Sequence, residues 1–466
     1  MQLWWQWWSL VVPLRAACAR QRSFLWLVAS LAGLCARADL LGITSIVRTL
    51  GLAPRCYDRL LDFFHSPAVE VDGLTRCWVQ RVLQLLPLLR FAGRPVLLGD
   101  GIKIPKSGRR MPAVKLLYQP GESNTKPTYI MGHSVQVVSI LVAAADSFFA
   151  LPLAGRIHEG VKFTNRDHRT LPGKCCDLID SLGLQEPFYF VADAFYGCRT
   201  VALRLRGTAS HLVSRVRSSA VAFLPAPTIH RRKRGRPRLY GRRLKLCTLF
   251  DSDQQPWQQA PSPVYGERDV TIRYLSADLI WRPLRALVRF VLVDHPTRGR
   301  SIFITTDLTL PPIEVIRLYG LRFKIELSFK QALRVLGTYA YHFWLRAMPK
   351  ISRGSGTQHL HRASDRYRDA VRRKLGAYHR HIQIGLIAQG LLQTLAIQHP
   401  RLVWSSFGAW LRTIRPGIAP SELVTAAALR NMLPDFLAQR ARACSLQKFL
   451  RERLEPAHSP PLRLAG

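Results

Sequence analysis

The residues best suited to chemistry are three carboxylates in a chain that has few. Asp100 closes the apolar run "RPVLLGD", Asp193 closes "PFYFVAD", and Glu326 stands inside "YGLRFKIELSFKQAL", Tyr319 to Leu333. This last stretch reads as one helix, with Tyr319, Arg322, Glu326, Lys330 and Leu333 on one face. Taken alone it is either a solvated ladder of ion pairs, worth about 0.3–0.5 kcal/mol per pair, or a carboxylate held ready for a reaction. Ile313, Ile316, Leu321, Ile325 and Phe329 need a surface to pack on, which sets Glu326 at the edge of an interface. An aspartate at the end of a strand likewise has two readings. It caps the next turn, or it faces a ligand at the carboxyl edge of an α/β sheet. Brought together, three carboxylates repel one another. Two divalent ions, Mg2+ or Mn2+, roughly 4 Å apart would relieve that repulsion and drive an in-line phosphoryl transfer. Arg322 and Lys330 would then reach phosphates beside them. The histidines, such as His133, His359, His361, His379 and His381, read as structural or DNA-facing residues and not as ligands.

The elements around these residues alternate as a mixed α/β sheet does. Asp100 ends a short buried strand, and a basic loop follows. A hairpin is expected with strands near 132–145 and 147–155, turning at Asp146-Ser147. A helix near Lys174 to Leu182, the strand ending in Asp193, the helix "AFYGCRTVALRLRG" and the strand "HLVSRVR" come next. Residues 218–300 lose this alternation and read as a β-rich insertion, with candidates "RLKLCTLF", "VTIRYLSA" and "ALVRFVLVD". "SIFITTD" returns as a strand, and Pro311-Pro312 opens the helix holding Glu326. The expected organisation is a helical block over 1–90, sheet over 91–217, insertion over 218–300, sheet and Glu helix over 301–340, and helices over 341–466. Within the first block, "TSIVRTLGLAPRCYDRLLDFF" fits either a DNA-binding helix-turn-helix or two packed core helices.

Composition narrows the partner. Against 29 acids stand 68 Lys and Arg, a formal charge of +39. Such an excess repels itself unless an anion screens it, and double-stranded DNA is the expected anion. A membrane surface is the rival, but "FLWLVASLAGLCA" stops at Arg37, short of the roughly 20 apolar residues a span needs. The start, "MQLWWQWW", lacks the cationic beginning of a signal peptide, and its tryptophans are read as caps on the first helices. Nine scattered cysteines without a CxxC pair argue against a disulfide framework or a zinc ribbon and for a reduced, cytoplasmic compartment. A hydrophobic fraction of 48% suits a folded chain of two or three domains. The run "RRKRGRPR" supplies Arg231, Arg232, Lys233, Arg234, Arg236 and Arg238. It is either a segment laid in a narrow minor groove or a basic loop on phosphates.

The stretch "ITTDLTLPPIEVIRLYGLRFKIELSFKQAL" resembles the C-terminal catalytic block of DDE transposases of bacterial insertion sequences. The signature there is Tyr, two residues, Arg, three residues, Glu, six residues, Lys. Tyr319, Arg322 and Glu326 match it; the last position is Leu333, which leaves its phosphate contact to Lys330 or Arg334, and Phe323 stands where Trp is common. Asp100 in "VLLGD" and Asp193 in "VADAFYG" match the family's two aspartates in order and context. The resemblance implies a ribonuclease-H-like core broken by a β-rich insertion, two Mg2+ or Mn2+ ions on Asp100, Asp193 and Glu326, and cleavage and joining of DNA strands by a homodimer on paired ends. In relatives with such an insertion an aromatic residue grips a flipped base, and Trp257 and Trp281 are the residues placed for that here, although both read more simply as core tryptophans. The competing readings are a non-catalytic DNA-binding derivative of a transposase, and a related nuclease or integrase.

Overall fold

The computed structural model describes residues 2–119, 127–145, 147–227, 238–252, 254–264, 266–408, 414–440 and 443–456. Its centre is the strand Arg94–Pro105, whose first half is a buried apolar run. On one side it pairs antiparallel with Tyr129–Ala144, which pairs antiparallel with Ser147–Ile157. On the other side it pairs in parallel with Tyr189–Ala192, which pairs in parallel with His211–Val216. Three antiparallel strands followed by two parallel ones, with the first strand central, is the arrangement expected of a ribonuclease-H-like sheet. The hairpin falls where alternation placed it, with Ala144 opposite Ser147; Asp146 lies outside the described residues.

Two expectations about element boundaries change. Asp100 does not end its strand: pairing with Tyr129–Ala144 continues to Pro105, so only the parallel ladder stops beside it. The helix expected from Ala194 starts only at Arg199, because Asp193 to Cys198 form a turn.

Residues 218–300 are β-rich, as expected, and they extend the same sheet. Gly299–Thr305 pairs antiparallel with His211–Val216, then Ala286–His295 with Gly299–Thr305, and Thr271–Trp281 with Ala286–His295. Trp281 is buried, and Trp257 packs on Phe250 with ring centroids 5.6 Å apart, beneath the Arg273 guanidinium. Both therefore serve the core of the insertion. Of the basic run, residues 231–237 lie outside the described residues, and Arg238 is exposed.

The N-terminal residues are helical. The tryptophans expected as caps are instead the core face of the helix Gln2–Val11: Trp4 and Trp7 are fully buried. Trp4 stacks on Phe436 at 5.3 Å and donates its indole N–H to the carbonyl of Leu429 at 2.8 Å. Helices Ile43–Thr49 and Cys56–His65 occupy the helix-turn-helix candidate and bury Ile46, Leu60, Phe63 and Phe64. The 34-residue helix Asp365–Gln398 runs between these helices and the sheet. Its Ile382 and Leu386 sit over Gly155, where a Cβ would come within 2.9 Å of Leu386. Among the described residues no helix is long and apolar enough to cross a membrane.

The first and last helices thus share one core. Trp4→Ala should cost about 3–5 kcal/mol of global stability in denaturant unfolding, within a single cooperative transition. A separate transition for the C-terminal helices, untouched by the substitution, would show the two blocks to be independent.

Candidate active site

The parallel ladder fixes the first two acids. Its last pair is Gly99 with Ala192, so Asp100 and Asp193 each stand one residue beyond it, on neighbouring strands, and strands lie about 4.8 Å apart. Gly99 has a steric reason to be glycine. A Cβ there would lie 2.3 Å from the ring of Phe190, so the aromatic ring fills the space beside Asp100. Asp193 caps its own turn, accepting the N–H of Phe195 at 3.1 Å, while its carbonyl accepts the Ser214 hydroxyl at 2.9 Å. The turn-capping reading is thereby satisfied, and it leaves the second carboxylate oxygen outside that bond.

The third acid arrives on a broken helix, not the single helix expected. Pro312–Leu321 and Phe323–Gln331 meet at Arg322, where N–H groups reach back three residues instead of four: Arg322 to Tyr319 and Ile325 to Arg322. A further π turn, Ala332–Leu336, follows and carries exposed Leu333 and Arg334. Phe323–Gln331 packs on the sheet through Ile325 and Phe329, as its apolar residues required, and leaves Glu326 and Lys330 exposed. Buried Gln389 supports it from behind, donating to the Ser328 carbonyl at 3.0 Å. Arg37 reaches its far end from the N-terminal helices and donates to the carbonyl of Leu336.

Arg322 joins the acids. One of its nitrogens donates to Asp100 Oδ2 at 2.7 Å and the other to Glu326 Oε1 at 2.7 Å. The guanidinium also lies 5.8 Å from the centre of the Tyr319 ring, which packs on Phe303. Burial pushes the Asp100 carboxyl up to about 6; Arg322 and the Gly101 N–H act against this, while Asp193 and Glu326 reinforce it. Two of the three acids are therefore clasped by one guanidinium, and the third adds its charge from the next strand. Among the described residues no three His, Cys, Asp or Glu side chains form a group tight enough to hold a metal ion. The donor set is nonetheless all oxygen, which suits a hard divalent cation, and Arg322 occupies the place between Asp100 and Glu326 where a positive charge is needed.

Lys330 makes no ion pair with Glu326 among the described residues and points to solvent. Three histidines are structural: His133 bonds Tyr341 and the Pro112 carbonyl, His379 accepts the Ile157 N–H, and His381 bonds the Thr338 carbonyl. Sequence reasoning missed Tyr196. It is buried three residues after Asp193, its hydroxyl accepts from Gln136 at 3.0 Å, and it feels both aspartates. Its only signal was the aromatic pair in "VADAFYG".

The carboxyl of Asp100 sets a pH dependence. Its folded-state pKa, about 6, lies above the ordinary 3.8, so the folded protein holds this proton more tightly than the unfolded chain. The stabilisation is full below about pH 4 and is lost as pH rises to about 6, by up to roughly 3 kcal/mol. Across that window Asp100→Asn should gain stability relative to the unsubstituted protein, measured as the difference between their denaturation midpoints. A difference that stays constant from pH 4 to pH 7 would remove the burial argument.

The sequence matches the family model described as "DDE superfamily endonuclease" over residues 13–277, more than half of its length. That span includes Asp100 and Asp193 and ends before Glu326. No curated protein matches the sequence. One solved structure, described as a piggyBac transposase synaptic complex with hairpin DNA, aligns over 96% of this chain and 78% of its own. Its identity of 12% and TM-score of 0.38 make a likeness too distant to bear on function. On the family match, the chain belongs to the DDE superfamily endonucleases.

Proposed function

We propose that the protein is a transposase of the bacterial insertion-sequence type, which cuts DNA at the ends of a mobile element and joins the freed 3′-hydroxyl to target DNA. The observation that carries this reading is the clasp: Arg322 holds Asp100 and Glu326 together while the parallel register sets Asp193 beside Asp100. In this reading Asp100, Asp193 and Glu326 would hold divalent ions, whose charge would serve to activate the attacking oxygen and stabilise the leaving one. The chain's own residues do the rest. Arg322 holds Asp100 and Glu326 with its two nitrogens, and once ions took over that charge its fork would suit a phosphate. The Tyr319 ring lies 5.8 Å from the Arg322 guanidinium. Lys330, exposed one turn beyond Glu326, takes the place of the signature lysine missing at Leu333. Arg231, Arg232, Lys233, Arg234, Arg236 and Arg238 bind backbone phosphates, the protein acts in the cytoplasm, and two copies pair two DNA ends.

The test separates chemistry from binding. Asp100→Asn, Asp193→Asn and Glu326→Gln should each abolish strand cleavage of an end-containing duplex in Mg2+ while DNA affinity persists. Cleavage that survives Glu326→Gln would sink the triad. Arg322→Ala and Lys330→Ala should each lower cleavage more than binding; if Lys330→Ala cuts normally and Arg334→Ala does not, the stand-in lysine is misassigned. Affinity should fall with salt at a log–log slope of about −0.9 per phosphate contacted. Neutralising the six basic residues together should shrink that slope, and an unchanged slope would remove them from the interface.

A further inference from the structure

Trp344 is the most exposed large apolar side chain among the described residues, at 65%. Its exposure follows from how its segment is held. Residues 341–344 alternate in burial: Tyr341 and Phe343 are buried, His342 and Trp344 are exposed. The inner pair cannot turn over, because Tyr341 stacks on Tyr378 at 4.8 Å and the Phe343 carbonyl accepts the Tyr378 hydroxyl at 2.6 Å. Beyond Trp344 the segment is tied to the loop that follows the Asp100 strand. The N–H of Leu345 donates to the Arg110 carbonyl at 2.9 Å, and that of Ile351 to the Arg109 carbonyl at 2.8 Å. The indole edge lies so close to Gly108 that a Cβ there would come within 3.0 Å of its nitrogen. A large flat ring is thus presented to solvent on a fixed backbone.

The two segments that meet at Trp344 are cationic. Neither 101–118 nor 338–364 contains an Asp or Glu, and Arg109, Arg346, Lys350 and Arg353 are all exposed. An exposed aromatic plane on a segment that carries cations and no acids is the chemistry that binds an unpaired nucleic-acid base, by stacking on its face and neutralising the flanking phosphates. The strand from Asp100 to Pro105 leads directly to this loop, a run of roughly 17 Å at about 3.3 Å per residue.

We propose that Trp344, on a segment that together with the adjoining loop carries Arg109, Arg346, Lys350 and Arg353 and no acid, is a stacking subsite for one unpaired base of the DNA strand, away from the scissile phosphate. The subsite rests on the reading of the protein as a DNA-cleaving enzyme, but it uses none of the three acids.

The probe is a DNA duplex with a single-stranded extension carrying 2-aminopurine at successive positions, titrated with the full chain and followed by fluorescence and anisotropy. At one position the unsubstituted protein should quench the fluorescence. Trp344→Ala should remove the quench and weaken binding of the extended DNA by roughly 5- to 150-fold, with blunt duplex bound as before. Trp344→Phe, which keeps an aromatic face, should restore most of both. If the protein binds DNA but Trp344→Ala changes neither signal, the subsite is overturned and the DNA reading stands. If the unsubstituted protein binds no DNA, both fall. If Trp344→Ala leaves DNA binding intact and instead turns a dimer into a monomer in sedimentation, a second copy covers the ring and the proposal is overturned.

Discussion

Carboxylates brought together in a partly buried place need a positive charge among them, and in this fold Arg322 supplies it. Its two nitrogens reach two acids that are 226 positions apart in sequence, Asp100 and Glu326. Neither partner could be placed without the sheet register on one side and the broken helix on the other. A regular helix through Arg322 would turn its side chain and that of Glu326 by the ordinary 100° per residue; the tighter turn there changes that relation. The helix itself is held by residues far from the acids, Gln389 behind Ser328 and Arg37 at the Leu336 carbonyl. Loss of either support would be felt at the clasp before any acid was altered.

The sheet was legible because its strands are short apolar runs with turn residues between them, and period-two or continuous burial leaves a plain mark. The order of strands, and hence the adjacency of Asp100 and Asp193, was not in the pattern; it followed from the family resemblance. Boundaries failed for definable reasons. The Asp100 strand carries alternating exposed residues after Gly99, "DGIKIP", so its second half looks like a loop while being fully paired. The break at Arg322 is invisible because every residue from Phe323 to Gln331 tolerates a helix, and the departure is a shift in hydrogen-bond partner. The role of Trp4 and Trp7 was hidden because their partners, Leu429 and Phe436, lie at the other end of the chain.

Charge is divided unevenly over this scaffold. The acids of the candidate site are concentrated where the parallel ladder ends, while the loop after the same strand and the segment 338–364 carry none. A polyanion approaching the surface would be drawn first to the basic side and only then meet the carboxylates, which repel it unless cations intervene. Buried Lys106 belongs to this basic side but serves the fold. It donates to the carbonyls of Tyr339 and Tyr341 and lies 3.9 Å over the Tyr341 ring, anchoring the segment that bears Trp344.

The bond between Trp4 and the carbonyl of Leu429 spans 425 positions, and it has a consequence for synthesis. Contacts so distant in sequence are slow to form, because the loop they close must be ordered first. On the ribosome, the first helix would emerge long before its partner, at some 5–20 residues each second. For the roughly 20 to 85 seconds that this implies, the nascent chain would expose Trp4 and Trp7 and a growing surplus of positive charge without the packing that seats the Glu326 helix. The fold would thus lack the packing between its first and last helices until both had emerged and met.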